Sequence, residues 1–340
     1  MPIGKPIALR QTMARHPGSS RQIDSVKRGT IVISSLLVIA AFISSPQDAA
    51  AEFQQVAPDL YFNYDYGGSN SVVLITDEGV LVVDTRMHPD DADLLLAEIR
   101  ARTDAPIRYV VNSQFHGDHY MGNVVFQREG ALFIAHSDTK EVIEERFSFE
   151  VDNRPFAARG QNPDEVVLVL PDILFDSRMT LEVGGYTVEL IYLGAGQNEG
   201  DTLIYFPHAR ALHTGGVFHN RSWANTSYTP SFSGWIDVLL AMKDIDAQIY
   251  LPPHGPIADA QDLDDFTQFV NELTTSVRTA MDEGMPLEEM LEKLVFDEYS
   301  DWRGYERRER NLTAIYEFMK SGEAQYYVPG ARAVPASGQR

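Results

Sequence analysis

The stretch SVVLITDEGVLVVDT constrains this chain most. Two apolar runs, at 72–75 and 80–83, are parted by Asp77, Glu78 and Gly79. Runs this short, rich in β-branched residues and bounded by turn formers, read as strands rather than helices. The pattern recurs in IRYVVNS, ALFIAHS, DTLIYFP, RALHTGG and AQIYLPP, and in RMTLEVGGYTVELIYLG as a hairpin turning at Gly184-Gly185. Helical periodicity comes between, in HPDDADLLLAEIRART, SDTKEVIEERF and SGWIDVLLAMKDI, and again over 262–320 with breaks near Gly284 and around 300–304. Residues 147–165 lack periodicity, contain Pro155, Gly160 and Pro163, and read as a long loop. Strands joined by several hairpins, with helices placed outside, predict two mostly antiparallel sheets and not a doubly wound parallel sheet.

The first fifty residues stand apart. Lys27 and Arg28 precede an apolar run at 31–43, and Ala49 and Ala51 follow with the spacing of a cleavage site. That is the layout of a secretory signal peptide over 1–51, which predicts a periplasmic or secreted protein. The apolar run is shorter than the roughly 20 residues that span a bilayer, so cleavage is favoured over a retained anchor and no stable membrane insertion is expected.

Charge and cysteine content narrow the function. The net charge is −21; the 1–51 segment has six basic and two acidic residues, a net +4, which leaves about −25 beyond it. So acidic a surface repels phosphate backbones and argues against nucleic acid as a partner. With no cysteine, the chain has no thiol nucleophile, and any metal must be held by His, Asp, Glu, amide oxygen or water.

NSQFHGDHYMGN, residues 112–123, places His116, Asp118 and His119 within four positions directly after a strand. A divalent cation needs several donors converging within about 2.0–2.2 Å, and loops at the ends of neighbouring strands bring distant donors together. The other such loops here are GAGQNEGD at 194–201, HTGGVFHN at 213–220 and PPHGP at 252–256.

This set resembles the metallo-β-lactamase superfamily. The family motif, Asn-Thr-His-x-His-x-Asp-His-x-x-Gly-Asn, is matched by 112–123 with Gln114 at its first histidine. VLVVDT resembles the strand that sets a supporting aspartate, here Asp84, and PPHGP resembles the loop of the last histidine, here His254. The resemblance runs from about 60 to 260. It implies an α/β (α+β) fold, a four-layer αβ/βα sandwich with the metal site at one sheet edge, over 52–260. A helical extension at 261–327 would pack on it, and 328–340 would form a flexible tail.

The departures are as specific as the matches. The family's middle histidine corresponds to Gln197 and its bridging aspartate to Gly216. The resemblance thus leaves one histidine of three, His116, in the first metal set, and Asp118, His119 and His254 of the second. A two-histidine, one-carboxylate set is sufficient for a catalytic zinc, whereas amide oxygen replaces imidazole poorly. The expectation is one zinc ion on Asp118, His119 and His254, with His116 and Asp118 catalytic. His116 would act as general base or orient the attacking water. Gln114 and Gln197 would hydrogen-bond across the first-metal pocket, to each other or to His116. His213 and His219 are candidate replacement ligands, and Asp201 a brace for its loop.

Three functions compete on these residues: a single-metal hydrolase attacking a carbonyl in a lactone, lactam, ester or thioester; a metal-free binding protein of the same fold; and a dimetal hydrolase with substitute ligands. All three take a small-molecule substrate or ligand. Of the remaining histidines, His88 and His208 read as surface loop residues and His136 as structural. Phe218, Trp223, Tyr228, Phe232 and Trp235 either line a pocket or pack on the C-terminal helices. The segment 299–311 reads as a helix start with solvated charges; the alternative has Tyr305 and Arg307 reaching a substrate carboxylate.

Overall fold

A computed structural model describes residues 52–64 and 68–322. The segment 1–51, expected to be a signal peptide, and the tail expected at 328–340 lie outside the described residues. Among the described residues, twelve strands form two sheets. The first, of seven strands, takes β1 (Glu52–Ala57), β2 (Leu60–Tyr64), β3 (Ser71–Thr76), β4 (Gly79–Val83), β5 (Ile107–Val111), β6 (Leu132–His136) and β7 (Ile173–Phe175) in chain order. The second, of five strands, runs β12 (Ile249–Leu251), β11 (Ala211–His213), β10 (Leu203–Phe206), β9 (Tyr186–Ile191), β8 (Arg178–Val183). The first sheet is antiparallel from β1 to β4 and parallel from β4 to β7. It is therefore more parallel than the hairpin-rich sequence suggested. The reason is that β4 and β5 are joined through helix α1 (Pro89–Arg100), and a helical crossover returns the chain in the same direction.

Side-chain alternation builds the layers. Val72, Leu74, Leu81 and Val83 face the second sheet, where Val188, Leu190, Ile204 and Phe206 meet them in one buried cluster. Their neighbours Val73, Val80 and Val82 face outward onto Leu95 and Ile99 of α1 and Val125 and Phe126 of α3 (Asn123–Arg128). Both faces of these strands are buried, which explains continuous apolar runs in place of a polar alternation. The outer face of the second sheet is covered by α5 (Phe232–Ala241) and α6 (Ala260–Asp282) through Trp235, Leu239, Phe266 and Phe269. Helix, sheet, sheet, helix is the four-layer α/β sandwich that was expected.

The short α2 (Gly117–Tyr120) follows β5, and α4 (Ser137–Asp152) follows β6. Helix α4 corrects the loop reading of 147–165 in its first part. Ile143, Phe147 and Val151 recur every four residues and pack into the cluster of Phe115, Tyr120 and Met121. That stripe holds the helix for five more residues, to Asp152, and loop structure begins only after it. The C-terminal part continues as α6, α7 (Leu287–Lys293) and α8 (Arg308–Ser321). Helix α6 starts at a capping box made by Asp259 and Asp262, and its stripe of Leu263, Phe266, Val270, Leu273 and Val277 is buried. Among the described residues no helix is long and apolar enough to cross a membrane.

Candidate metal centre

The centre is assembled where β4, β5, β9, β11 and β12 run out into loops at one edge of the sandwich. The motif after β5 is folded by its two asparagines. Asn112 Nδ2 donates to the His119 carbonyl at 3.1 Å and to Asn123 Oδ1 at 3.0 Å, and Asn123 Nδ2 returns to Asn112 Oδ1 at 2.8 Å. Gly122 lies so close to β4's exit that a Cβ there would stand 2.0 Å from the Thr85 carbonyl oxygen. The 252–255 loop is fixed in the same manner. Asn70 Nδ2 donates to the carbonyls of Pro252 and Gly255, both at 2.8 Å, and His254 Nδ1 donates to the Gly68 carbonyl at 3.1 Å. That bond turns His254 Nε2 toward Asp118 Oδ2, 3.5 Å away.

Asp118, His119 and His254 each present one donor atom, and these atoms lie within 4.8 Å of one another. Asp84 orients the second of them. Its backbone has φ 62°, in the left-handed region, and its carboxylate is buried. Oδ1 accepts from the Ser113 amide at 2.8 Å, while Oδ2 accepts from Ser113 Oγ at 2.7 Å and His119 Nδ1 at 2.6 Å. A proton held on Nδ1 leaves His119 Nε2 as a lone-pair donor, the arrangement by which carboxylates support metal-binding imidazoles. Burial works to lower the His119 pKa, but Asp84 and Asp118 outweigh it and hold it above the ordinary imidazole range. Burial works to raise the Asp118 pKa, yet the surrounding His119, His254 and Arg154 keep it well below the usual carboxylate range. His254 is brought down to about 4, by burial first and against the pull of Asp118. An ionised carboxylate and a neutral imidazole are the states in which these two bind a cation.

Around this set the amides form a hydrogen-bonded network centred on Asn198. Asn198 Nδ2 lies 2.9 Å from Gln114 Oε1, 3.0 Å from Gln197 Oε1 and 3.1 Å from Asp201 Oδ1. The two glutamines therefore meet through Asn198 and not directly, and neither bonds His116. Gln197 Nε2 donates to the Asn225 carbonyl at 2.8 Å, and Gln114 Nε2 lies 2.8 Å from His119 Nε2. Asp201 braces the loop by accepting the Asn198 amide at 2.9 Å, and burial raises its pKa to about 7. A Cβ at Gly216 would come within 2.5 Å of Asp201 Oδ1 and 2.7 Å of Asn198 Nδ2. The space next to a residue-216 side chain is thus filled by this network.

The donor chemistry can be tested against a cation. Two imidazoles and one carboxylate converge with lone pairs inward, so Asp118, His119 and His254 fit one ion, provided the Gln114 amide yields the lone pair of His119. The oxygens of Gln114 and Gln197 are committed to Asn198, so the first-metal positions do not fit a second. Asn198 itself was missed in the sequence; its only signal was adjacency to Gln197.

A cavity of about 380 Å³ opens onto Asp118 and His254, with Tyr228, Arg154 and Arg307 in its walls. His116 lines it with a buried Nε2 that has no partner, and burial holds its pKa well below the ordinary value. His219 also lines it and is 4.8 Å from the His254 ring, with neither ring nitrogen partnered. His213 does not line it; its Nε2 stands 3.8 Å from Asp84 Oδ2, and burial lowers its pKa to about 4. His88 is a correction. It is buried, caps α1 by accepting the Asp90 amide at 3.2 Å, and donates to the Asn162 carbonyl at 3.0 Å. His136 likewise caps α4. Of the aromatic segment only Tyr228 reaches the cavity, whereas Phe218, Trp223, Phe232 and Trp235 pack into the core under the C-terminal helices. Tyr305 turns away, donating to the Val295 carbonyl at 2.6 Å.

A sequence profile of the metallo-beta-lactamase superfamily matches residues 64–254, more than half of the chain, which therefore belongs to that superfamily. Its relatives vary in what they act on. It is 25% identical over 179 residues, 52% of this chain and 50% of the other, to the 2,4-dinitroanisole O-demethylase subunit alpha of a Nocardioides species. It is 22% identical to a linear primary-alkylsulfatase of a Pseudomonas species over 64% of this chain and 48% of that one. The chain thus spans about half the length of these two relatives. Among solved structures, a stereoselective inverting sec-alkylsulfatase of a Pseudomonas species superposes with a TM-score of 0.62 at 18% identity, covering 84% of this chain and 52% of that one. A metallo-beta-lactamase from Pontibacter korlensis gives 0.52 at 19% identity, covering 65% and 99%.

Proposed function

We propose that this protein is an exported hydrolase of a small molecule, working with a single zinc ion on Asp118, His119 and His254. The convergence of these three donors, two of which, Asp118 and His254, line an open cavity, carries the reading. A cation bound there supplies Lewis acidity, acidifying water and polarising a carbonyl or related electrophile. The chain's own groups do the rest. Asp84 fixes the His119 ring, and the Gly68 carbonyl fixes that of His254. His116 stays neutral because burial lowers its pKa, so its free Nε2 accepts a hydrogen bond from the attacking water and orients it. A group with so low a pKa is a weak base at neutral pH, which favours orientation over full proton abstraction. Export rests on the layout of 1–51 alone.

Metal content tests the proposal directly. Untagged protein purified without chelator should hold about one equivalent of zinc per chain, and His254→Ala should abolish it. A second reading, a metal-free binding protein, is favoured by the Gln114 amide on the His119 lone pair. Failure to take up zinc on dialysis would establish that reading instead. Two equivalents would mean that the amide network opens or that His219 is recruited.

A further inference from the structure

Three arginines, Arg154, Arg307 and Arg310, line the cavity although the chain carries a net charge of −21. Arg307, at the turn before α8, and Arg310, in its first turn, both line it. Arg307 Nη1 donates to the Trp223 carbonyl at 2.9 Å, which holds the guanidinium against the cavity. Arg154 is paired with Glu150, which also lines the cavity. Arg303 is felt electrostatically by both Arg307 and His254, and its Nη1 is buried without a partner. Among the described residues, Arg303, Arg307 and Arg310 form no salt bridge with any carboxylate. Gathering guanidinium groups without carboxylate partners is unfavourable in itself, and the negative charges that act on Arg307 are those of Glu306, its chain neighbour, and Asp118, which the metal set claims.

We propose that the substrate carries an anionic group, a carboxylate or a sulfate-type oxyanion, seated on Arg307 and Arg310 with its reactive bond toward Asp118 and His254. Guanidinium is the side chain suited to two-point capture of such planar or tetrahedral oxyanions. Both arginines lie beyond residue 254, where the superfamily match ends. Specificity is therefore assigned to the C-terminal helices, and the metal to the sandwich. The proposal rests on the hydrolase reading for its reactive bond but not for its anion site.

The test separates the two. Binding of sodium sulfate and of sodium benzoate is measured by calorimetry at constant ionic strength, using full-length protein freed of metal. Wild type should bind at least one anion saturably, and Arg307→Gln should weaken it about tenfold. Arg310→Glu, at an exposed position and so without consequence for folding, should abolish it. Tighter sulfate binding assigns a sulfate-type ester, and tighter benzoate binding a carboxylate. Absence of saturable binding in wild type, or unchanged binding in a folded Arg310→Glu protein, overturns the proposal. Zinc content measured on the same variants should stay at the wild-type level. Loss of zinc by His254→Ala with anion binding intact bears on the hydrolase reading alone.

Discussion

Gln114 is the residue on which the chemistry of this centre turns. Its amide N–H occupies the lone pair of His119 while its oxygen is anchored by Asn198. A cation must displace a hydrogen bond worth about 1 kcal/mol. Gln114→Ala should therefore tighten zinc binding by several-fold to about tenfold, measurable by competition with a chromophoric chelator; weaker binding would mean that the amide supports the ion. Gly216 is the converse case. Gly216→Asp restores the carboxylate that the superfamily's bridging position carries, but its Cβ would collide with Asp201 and Asn198. It should cost roughly 1–3 kcal/mol of stability by overpacking, read by urea denaturation, without adding a second zinc. The glutamines were visible in the sequence as substitutions in the ligand set. Their connection through Asn198 was not, because a hydrogen-bond partner one position along a loop has no periodicity to announce it.

The elements that shape the cavity are α4 and α8. Helix α4 carries Glu150 into the wall, and its end leads to Arg154, only because the stripe of Ile143, Phe147 and Val151 extends it beyond the expected helix. That stripe was legible in principle. Pro155 and Gly160 downstream masked it by making the whole segment read as loop. Helix α8 is tied to the segment before Tyr228 by Asn311. Its Nδ2 donates to the Ala224 carbonyl at 2.7 Å, and its Oδ1 accepts the Thr226 amide at 3.4 Å. Asn311 is fully buried, so Asn311→Ala leaves two backbone groups unsatisfied and should cost about 1–3 kcal/mol. Thermal unfolding should show a lowered midpoint, and the loosened wall should weaken anion binding without changing zinc content.

For the molecule as a whole, the buried ionisable groups around the centre set how stability responds to pH. In the metal-free protein His116, His213, His219 and His254 are all depressed, the second and fourth to about 4. Between about pH 4 and 6.5 the unfolded chain binds protons on these histidines that the folded chain refuses, so stability rises with pH. Asp201, raised to about 7, acts in the opposite sense, because in that window the folded chain holds a proton that the unfolded chain has released. Four groups oppose one, and stability should climb from pH 4 to 6.5. Above that window the raised His119 reverses the trend, its contribution being lost as pH passes its folded value. Urea midpoints of chelator-treated protein across pH 4–8 check this; a flat or falling profile below pH 6.5 would contradict the buried state of these imidazoles.

What the sequence determined by itself was local and repetitive: strands from short β-branched runs, the 184–185 hairpin, the capped helices, and a ligand motif whose residues sit within a few positions of each other. Local backbone preference and side-chain periodicity are enough to specify such features. Only the tertiary structure decided what depends on segments far apart in the chain. It brought His254 to Asp118 and set Asp84 behind His119. It joined Gln114 to Gln197 through Asn198 and carried Arg307 and Arg310 to the cavity. Each of these is a meeting of loops held together by the packing of two sheets, and the partner in such a meeting is chosen by the whole core rather than by the residues next to it in sequence.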